Sequence, residues 1–480
     1  MPRLAWQPGS PAENWRALQR TLPAALWALL QRVRQAAQAR GWPLYVVGGF
    51  VRDWLLGQLT LDLDLVVEPV PSAGPGWPAI VLAQTLAREL GGRVTEHRAF
   101  GTAKWWLPPA LKLAARLGLP PGEPTGVPAH LDFVTARAEH YPHPAALPQV
   151  RPANLHADLH RRDFTINAMA LSLTPQPGVL HDPFGGLQDL RGGVLRALHA
   201  RSFRDDPTRM FRAVRYAVRY RLRLSPETRA QWPQGLEHVP ALSGDRVRHE
   251  LDRLLDEPLA GRMVRRLGAW GLARAVHPRL PAGRAAARRV TRGHTAQAAA
   301  VAQAWGLAGE PPVPRATRYA LWWATLPRAA IDALSARLTA PAALRRTAQA
   351  AARLWRTRRV WAAWPPARFT FHLEAFPLEA VLAVRLLTDD PALQARLDRF
   401  AQEWRHVRPS TTGHDLRALG LPPGPHYAAI LRALRAAWLE GRVHSAAQEA
   451  QLRAQLVQAA RRAAGSTPVP PKPTPHAEAS

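Results

Sequence analysis

The chain has 480 residues and is 47% hydrophobic, too long for one core and apolar enough for several, so two to four domains are expected. It has no cysteine, which excludes disulfides and thiolate metal sites. With 64 Lys+Arg against 35 Asp+Glu, its formal net charge is +29 and points to a polyanionic partner; coding bias explains Arg over Lys but not the shortage of acids.

Residues 1–40 read as helix, with Leu22, Ala25, Leu26, Leu29, Leu30 and Val33 on one apolar face. The first twenty residues lack a secretory apolar core, and no apolar run reaches the roughly 20 residues a bilayer requires. A cytoplasmic protein without membrane contact is expected.

The stretch from Leu44 to Glu68 carries the densest chemistry. Tyr45, Val46 and Val47 favour a strand, which Gly48-Gly49 ends in a tight turn. Val51, Trp54, Leu55 and Leu56 are helix-spaced, and Gly57 stops them. Leu61 to Leu65 alternates apolar and acidic residues, so a strand there would turn Asp62 and Asp64 to one face. Paired carboxylates repel unless a cation lies between them. Mg²⁺ takes oxygen ligands and shares them with substrate phosphates, for which a glycine turn offers N–H groups. An isolated Asp-x-Asp is equally at home on a solvated strand face. The combined order and spacing resemble the head motif of polymerase-β-like nucleotidyltransferases, and in this wording the class II tRNA nucleotidyltransferase (CCA-adding enzyme) and bacterial poly(A) polymerase family.

Further along, Ile80–Leu90 reads as a helix ended by Gly91-Gly92, and residues 93–96 and 100–106 as strands. Residues 107–129 read as a surface insertion. Residues 131–137 form another strand, with Asp132 among apolar neighbours. The resemblance implies a third catalytic carboxylate here, as metal ligand or base; an edge-strand acid facing water is the competing reading. Residues 139–159 are Pro-rich and read as irregular; in the family this is a flexible loop that repositions the primer end for the last adenosine.

The string from Arg161 to Ala170 matches the family's second motif. Its arginines are forked donors for phosphate. The resemblance implies that Arg161 and Arg162 meet the nucleotide, Arg162 at the triphosphate, with Asp163 and Asn167 at the sugar. It also implies that Gly48, Gly49, Arg52 and Asp53 cradle the nucleotide. Residues 181–190 match a third motif and read as a hinge. Asp205 and Asp206 precede a helix, and Asp206 and Arg209 are three apart, on one face. A carboxylate accepts and a guanidinium donates, so the pair can satisfy cytosine and adenine but not guanine and uracil. On its own the spacing fits a surface salt bridge. The family's nucleotide-selecting motif has this Asp and Arg, with Glu where Asp205 stands. Arg212 and Arg215 follow on the same helix. Residues 242–251 open a further helix behind Ser243 and resemble the last neck motif.

The implied fold is α+β: a polymerase-β-like head with a mixed sheet over residues 1–172, then helical neck (173–270), body (271–400) and tail (401–464). A disordered Pro-rich end is expected at 465–480. The resemblance implies addition of CMP and AMP, from CTP and ATP, to the 3′ end of tRNA, whose acceptor stem and elbow are gripped. It implies two Mg²⁺ ions on Asp62 and Asp64. A-only or CC-only addition, polyadenylation, and a non-catalytic RNA-binding relative are the competing readings. No protein partner is evident.

Overall fold

The computed structural model describes residues 4–70, 76–119 and 126–465. Ser10 and Glu13 cap one another's backbone and start α1 (Pro11–Thr21). The single helix expected over 1–40 is in fact two. Pro23 forces Leu22 into an extended conformation, so α1 ends and α2 (Ala24–Gln38) starts anew, burying the apolar stripe read from the sequence.

Next come β1 (Leu44–Val47), α3 (Gly49–Leu55), β2 (Asp64–Val67), α4 (Pro78–Leu90), β3 (Arg93–His97), β4 (Thr102–Trp106), α5 (Ala110–Arg116) and β5 (His130–Thr135). The insertion read at 107–129 contains α5, and part of it lies outside the described residues. Then follow β6 (Arg137–His140), β7 (Gln149–Pro152), α6 (Leu155–His160), β8 (Ala170–Thr174), β9 (Leu180–His181), α7 (Gly186–Gly192), α8 (Ser202–Asp205) and α9 (Thr208–Arg219).

Seven strands form one mixed sheet in the order β3-β4-β5-β2-β1-β8-β9, with only β2 and β5 parallel. Their crossover carries α4, β3, β4 and α5, as a parallel pair requires a long connection. Val46, Val47, Leu65 and Val66 are fully buried, because the central strands are covered on both faces. The region expected to be an irregular loop is mostly structured: β6 and β7 pair as a hairpin, from Arg137 opposite Pro152 to His140 opposite Gln149. Its prolines misled the reading. Pro152 sits at the end of an edge strand, where no N–H is needed, and Pro142, Pro144 and Pro148 fall in the connecting turn.

Two compact units emerge: Met1–Gly283 with Arg337–Thr339, and Arg284–Ala336 with Ala340–Ser480. In the first, α9 packs on helices Gly244–Asp256 and Ala260–Ala269. The second is all-helical among the described residues, from Arg284–Arg292 to Ala446–Gly465. No described helix is long and apolar enough to cross a membrane. The disorder expected after Gly465 concerns residues outside the described ones.

The helix Ala446–Gly465 of the second unit carries a buried carboxylate near its start. Glu449 accepts from the Ser410 and Thr411 backbone at 3.0 and 2.7 Å, from Ser410 Oγ at 2.9 Å and from Trp438 Nε1 at 2.6 Å. Burial alone raises its carboxyl, but the Thr411, Ser410 and Trp438 donors outweigh burial and hold it at about 2, against an ordinary 4.5. A depressed folded value gives stability that is full above the unfolded value and is lost as pH falls from 4.5 towards 2. Glu449→Gln should therefore cost about 2 kcal/mol at pH 7 and flatten the acid limb. Urea denaturation at pH 7 and pH 3 measures both.

Candidate active site

Antiparallel pairing of β1 with β2 sets Val47, at the mouth of the glycine turn, opposite Asp64. Parallel pairing of β2 with β5 sets Asp132 directly beside Asp64. Asp62 is not on the strand, as the alternation implied: β2 begins at Asp64, and Asp62 is exposed in the preceding loop. It still reaches the group, since one ligand atom each from Asp62, His130 and Asp132 lie within 4.8 Å of one another. Burial pushes the Asp64 carboxyl up to about 6; Arg162 opposes the rise, and Asp62 and Asp132 add to it. Crowded carboxylates that resist a third charge fit a bound dication.

The glycine turn is used differently from the expectation. The Gly48 N–H donates to the Met169 carbonyl at 3.0 Å, so it is not free for phosphate. Gly48 has φ +70° and ψ −125°, and a Cβ there would lie 2.6 Å from Arg162 Nη1. Its function in the fold is to let a guanidinium approach the backbone. Gly49 and Arg52 line the cavity beyond.

Arg52 is buried and forks onto Asp53, Nε to Oδ1 at 2.9 Å and Nη2 to Oδ2 at 2.8 Å, while Nη1 donates to Asn167 Oδ1. It lies over the rings of Tyr216 and Tyr220, at 5.1 and 4.5 Å. Tyr220 donates to Asp53 at 2.7 Å. Asn167 Nδ2 donates to Asp163 Oδ1 at 2.9 Å, and Arg212 Nε to Asp163 Oδ2 at 2.6 Å. Burial opposes charge on Asp163, but Arg212 and Asn167 hold its carboxyl below the usual range. Asp163 and Asn167, read as sugar contacts, thus also hold each other and two arginines.

Arg161 is consumed by ion pairs, with Asp158 at 2.7 Å and Glu139 at 2.8 Å. Arg162 gives Nη2 to Asp158 at 3.0 Å and keeps Nη1 at the glycine turn. Asp158 is fully buried; burial would raise its carboxyl, and the two arginines lower it.

Asp206 and Arg209 do not form the surface salt bridge that their spacing on its own would fit. A break at Pro207 separates α8 from α9, so Asp206 caps one helix and Arg209 starts inside the next. Asp206 Oδ1 accepts from Thr208 N, Thr208 Oγ1 and Arg246 Nη2 at 3.0, 2.6 and 2.8 Å. Arg209 is buried and donates to Ser202 Oγ at 2.8 Å and the Arg161 carbonyl at 2.7 Å. His199 lies 3.4 Å from Arg209 Nη1. Burial, then Arg209, push His199 down to about 4, so it is neutral at pH 7. Arg215 faces Glu250 at 3.5 Å.

All these elements open on one cavity of about 750 Å³. It joins Asp62 and Asp64, Arg52 and Arg162, Asp163 and Asn167, and Asp206, Arg209, Arg212 and Arg215. Residues 44–196 match the Poly A polymerase head domain. This segment belongs to that family. A Geobacter sulfurreducens A-adding tRNA nucleotidyltransferase is 29% identical over 462 residues, which is 92% of this chain and 48% of that protein. A Deinococcus radiodurans CC-adding tRNA nucleotidyltransferase is 42% identical over 232 residues, 48% of this chain and 54% of that protein. The chain thus spans about half the length of the curated relatives it matches. The solved apo form II of a CCA-adding enzyme shares the fold, with TM-score 0.72 and 24% identity over 91% of this chain and 97% of that one.

Around the head domain's motifs, sequence reasoning missed His130, Lys104, Asp158, Glu139, Tyr220 and Arg246. Strand alternation offered a signal for His130, two residues before Asp132 on the same face. Helical spacing offered one for Asp158, three and four residues before Arg161 and Arg162; the others meet the site through long-range contacts. Gly48→Ala is expected to lower stability by about 1–3 kcal/mol, the cost of its backbone conformation for a residue with a Cβ. By displacing Arg162 it should also weaken nucleotide binding at least tenfold, read by thermal denaturation and by ATP and CTP titration.

Proposed function

We propose that this protein is a template-independent nucleotidyltransferase that adds CMP and AMP to the 3′ end of tRNA. The observation that supports it is the cavity that Asp62 and Asp64 share with Arg52, Arg162, Asp206 and Arg209. Asp62, Asp64 and Asp132 would hold Mg²⁺. Bound there, two such ions would activate the terminal 3′-hydroxyl and neutralise the triphosphate and leaving pyrophosphate. Gly49, Arg52 and Arg162 bind and orient the triphosphate, and Arg212 and Arg215 add positive charge from α9. Asp53, Arg161, Asp163 and Asn167 keep these guanidiniums in place. Asp206 retains Oδ2 to accept from a cytosine or adenine amino group, and Arg209 retains N–H groups for a ring acceptor. The excess of arginine supports RNA backbone binding, since duplex RNA is recognised by shape and phosphates.

The resemblance of the motifs supports the complete CCA programme. A second reading, that this chain performs one part of it, is favoured by the A-adding and CC-adding relatives. Incubating tRNA lacking its 3′ end, ending in C, or ending in CC, with CTP and ATP supplied separately, resolves the two. Extension of all three to CCA supports the first; extension of the CC-ended substrate alone, or arrest at CC, supports the second.

Asp62→Ala and Asp64→Ala are each expected to abolish incorporation while tRNA affinity stays within about threefold, since phosphate contacts elsewhere dominate binding. Retained turnover would remove the carboxylates from the mechanism. Arg209→Ala is expected to lose about 1–3 kcal/mol of discrimination, roughly 10- to 100-fold in C and A over G and U. Unchanged selectivity in competition with all four triphosphates would overturn the base-reading role.

A further inference from the structure

The alternation along β5 that turns Asp132 into the site turns His130 there too. His130 Nε2 lies 3.2 Å from Asp132 Oδ2, and a ligand atom of Asp62 completes a group spanning at most 4.8 Å. Donors sharing one ion at about 2.1 Å lie within about 4.2 Å of each other, so a closure of a few tenths of an ångström brings all three onto it.

Lys104 reports what the group prefers. On β4, opposite Asp132 in the ladder, it places Nζ 3.4 Å from Asp132 Oδ2 and 2.9 Å from His130 Nε2. Towards the Lys104 ammonium Nε2 can only accept, and in that tautomer its lone pair points to the cluster. That is the tautomer that ligates a metal. The other ring nitrogen, Nδ1, is buried without a partner, and the Trp106 ring packs against the imidazole with centroids 5.0 Å apart. The ring is therefore held with Nε2 facing both a carboxylate and a cation already present.

We propose that His130 is a nitrogen ligand of the cation held by Asp62 and Asp132, with Lys104 as the monovalent stand-in that a dication displaces. This rests on the reading of these carboxylates as cation-binding. A carboxylate-only site suits Mg²⁺; an imidazole shifts preference towards Mn²⁺ and Co²⁺. The site then binds Mn²⁺ more tightly than Mg²⁺.

The test is the electron spin-echo modulation of Mn²⁺ bound to the untagged full chain. Wild type is expected to show ¹⁴N coupling of a directly bound imidazole. His130→Ala should lose that coupling and bind Mn²⁺ about tenfold or more weakly, with Mg²⁺ affinity nearly unchanged. Bound Mn²⁺ without ¹⁴N coupling in wild type, or coupling that survives in His130→Ala, overturns the role of His130 and leaves the carboxylate reading standing. No Mn²⁺ binding by wild type overturns both. If His130→Ala does not fold, His130→Phe, which keeps a ring against Trp106, takes its place with the same loss of coupling expected.

Discussion

Asp64 and Asp132 come from strands 68 residues apart in the chain and stand side by side because β2 and β5 pair in parallel, residue for residue. A slip of one residue would turn Asp132 into the core and an apolar neighbour into the cavity, since side chains alternate across a strand. The pairing is secured by burial: Leu65, Val66 and Phe133 are covered on both faces. Everything chemical about the site follows from this register, including the raised Asp64 carboxyl and the approach of Lys104 from the next strand. Clustering acids is unfavourable in a folded protein, and it persists where the surrounding core over-determines it.

Opposing charge is supplied by guanidiniums that are themselves tied down. Arg52, Arg161 and Arg212 each spend donors on buried carboxylates, and the resulting chain runs Tyr220–Asp53–Arg52–Asn167–Asp163–Arg212. Both its ends lie at α9, so the helix bearing Arg209 is anchored to the floor of the head domain. Breaking one link would strand a charge in a poorly solvated place, which costs more than a surface pair ever returns. Arg246 extends the same logic: one arm holds Asp206, and the other donates to the Ala145 carbonyl in the β6–β7 turn at 2.7 Å. The hairpin and Asp206 thus share one guanidinium.

Much of this was legible in the residues. Gly49, the two aspartates, the arginine pair and Arg209 all lie on the cavity, because short motifs with special backbone or charge demands leave local marks. What misled was context. Pro23 split a helix whose apolar stripe ran unbroken across it, because a proline restricts the residue before it. The prolines of residues 139–159 read as irregular, yet they fall in a turn and at an edge-strand end, where they leave a hairpin intact. Glu449 and Tyr220 left no mark, because an isolated acid or tyrosine reads the same whether it faces water or buried partners.

The amino-acid sequence by itself determined which chemical groups are available, and that they cluster in short strings joined by glycine turns. Strand and helix propensities, glycine conformations and charge balance are local properties, so a linear reading reaches them. Only the tertiary structure decided which groups share space. Strand order, register and helix docking are settled by burial of side chains far apart in the chain. These placed His130 and Lys104 at the carboxylates and closed the guanidinium chain between the sheet and α9.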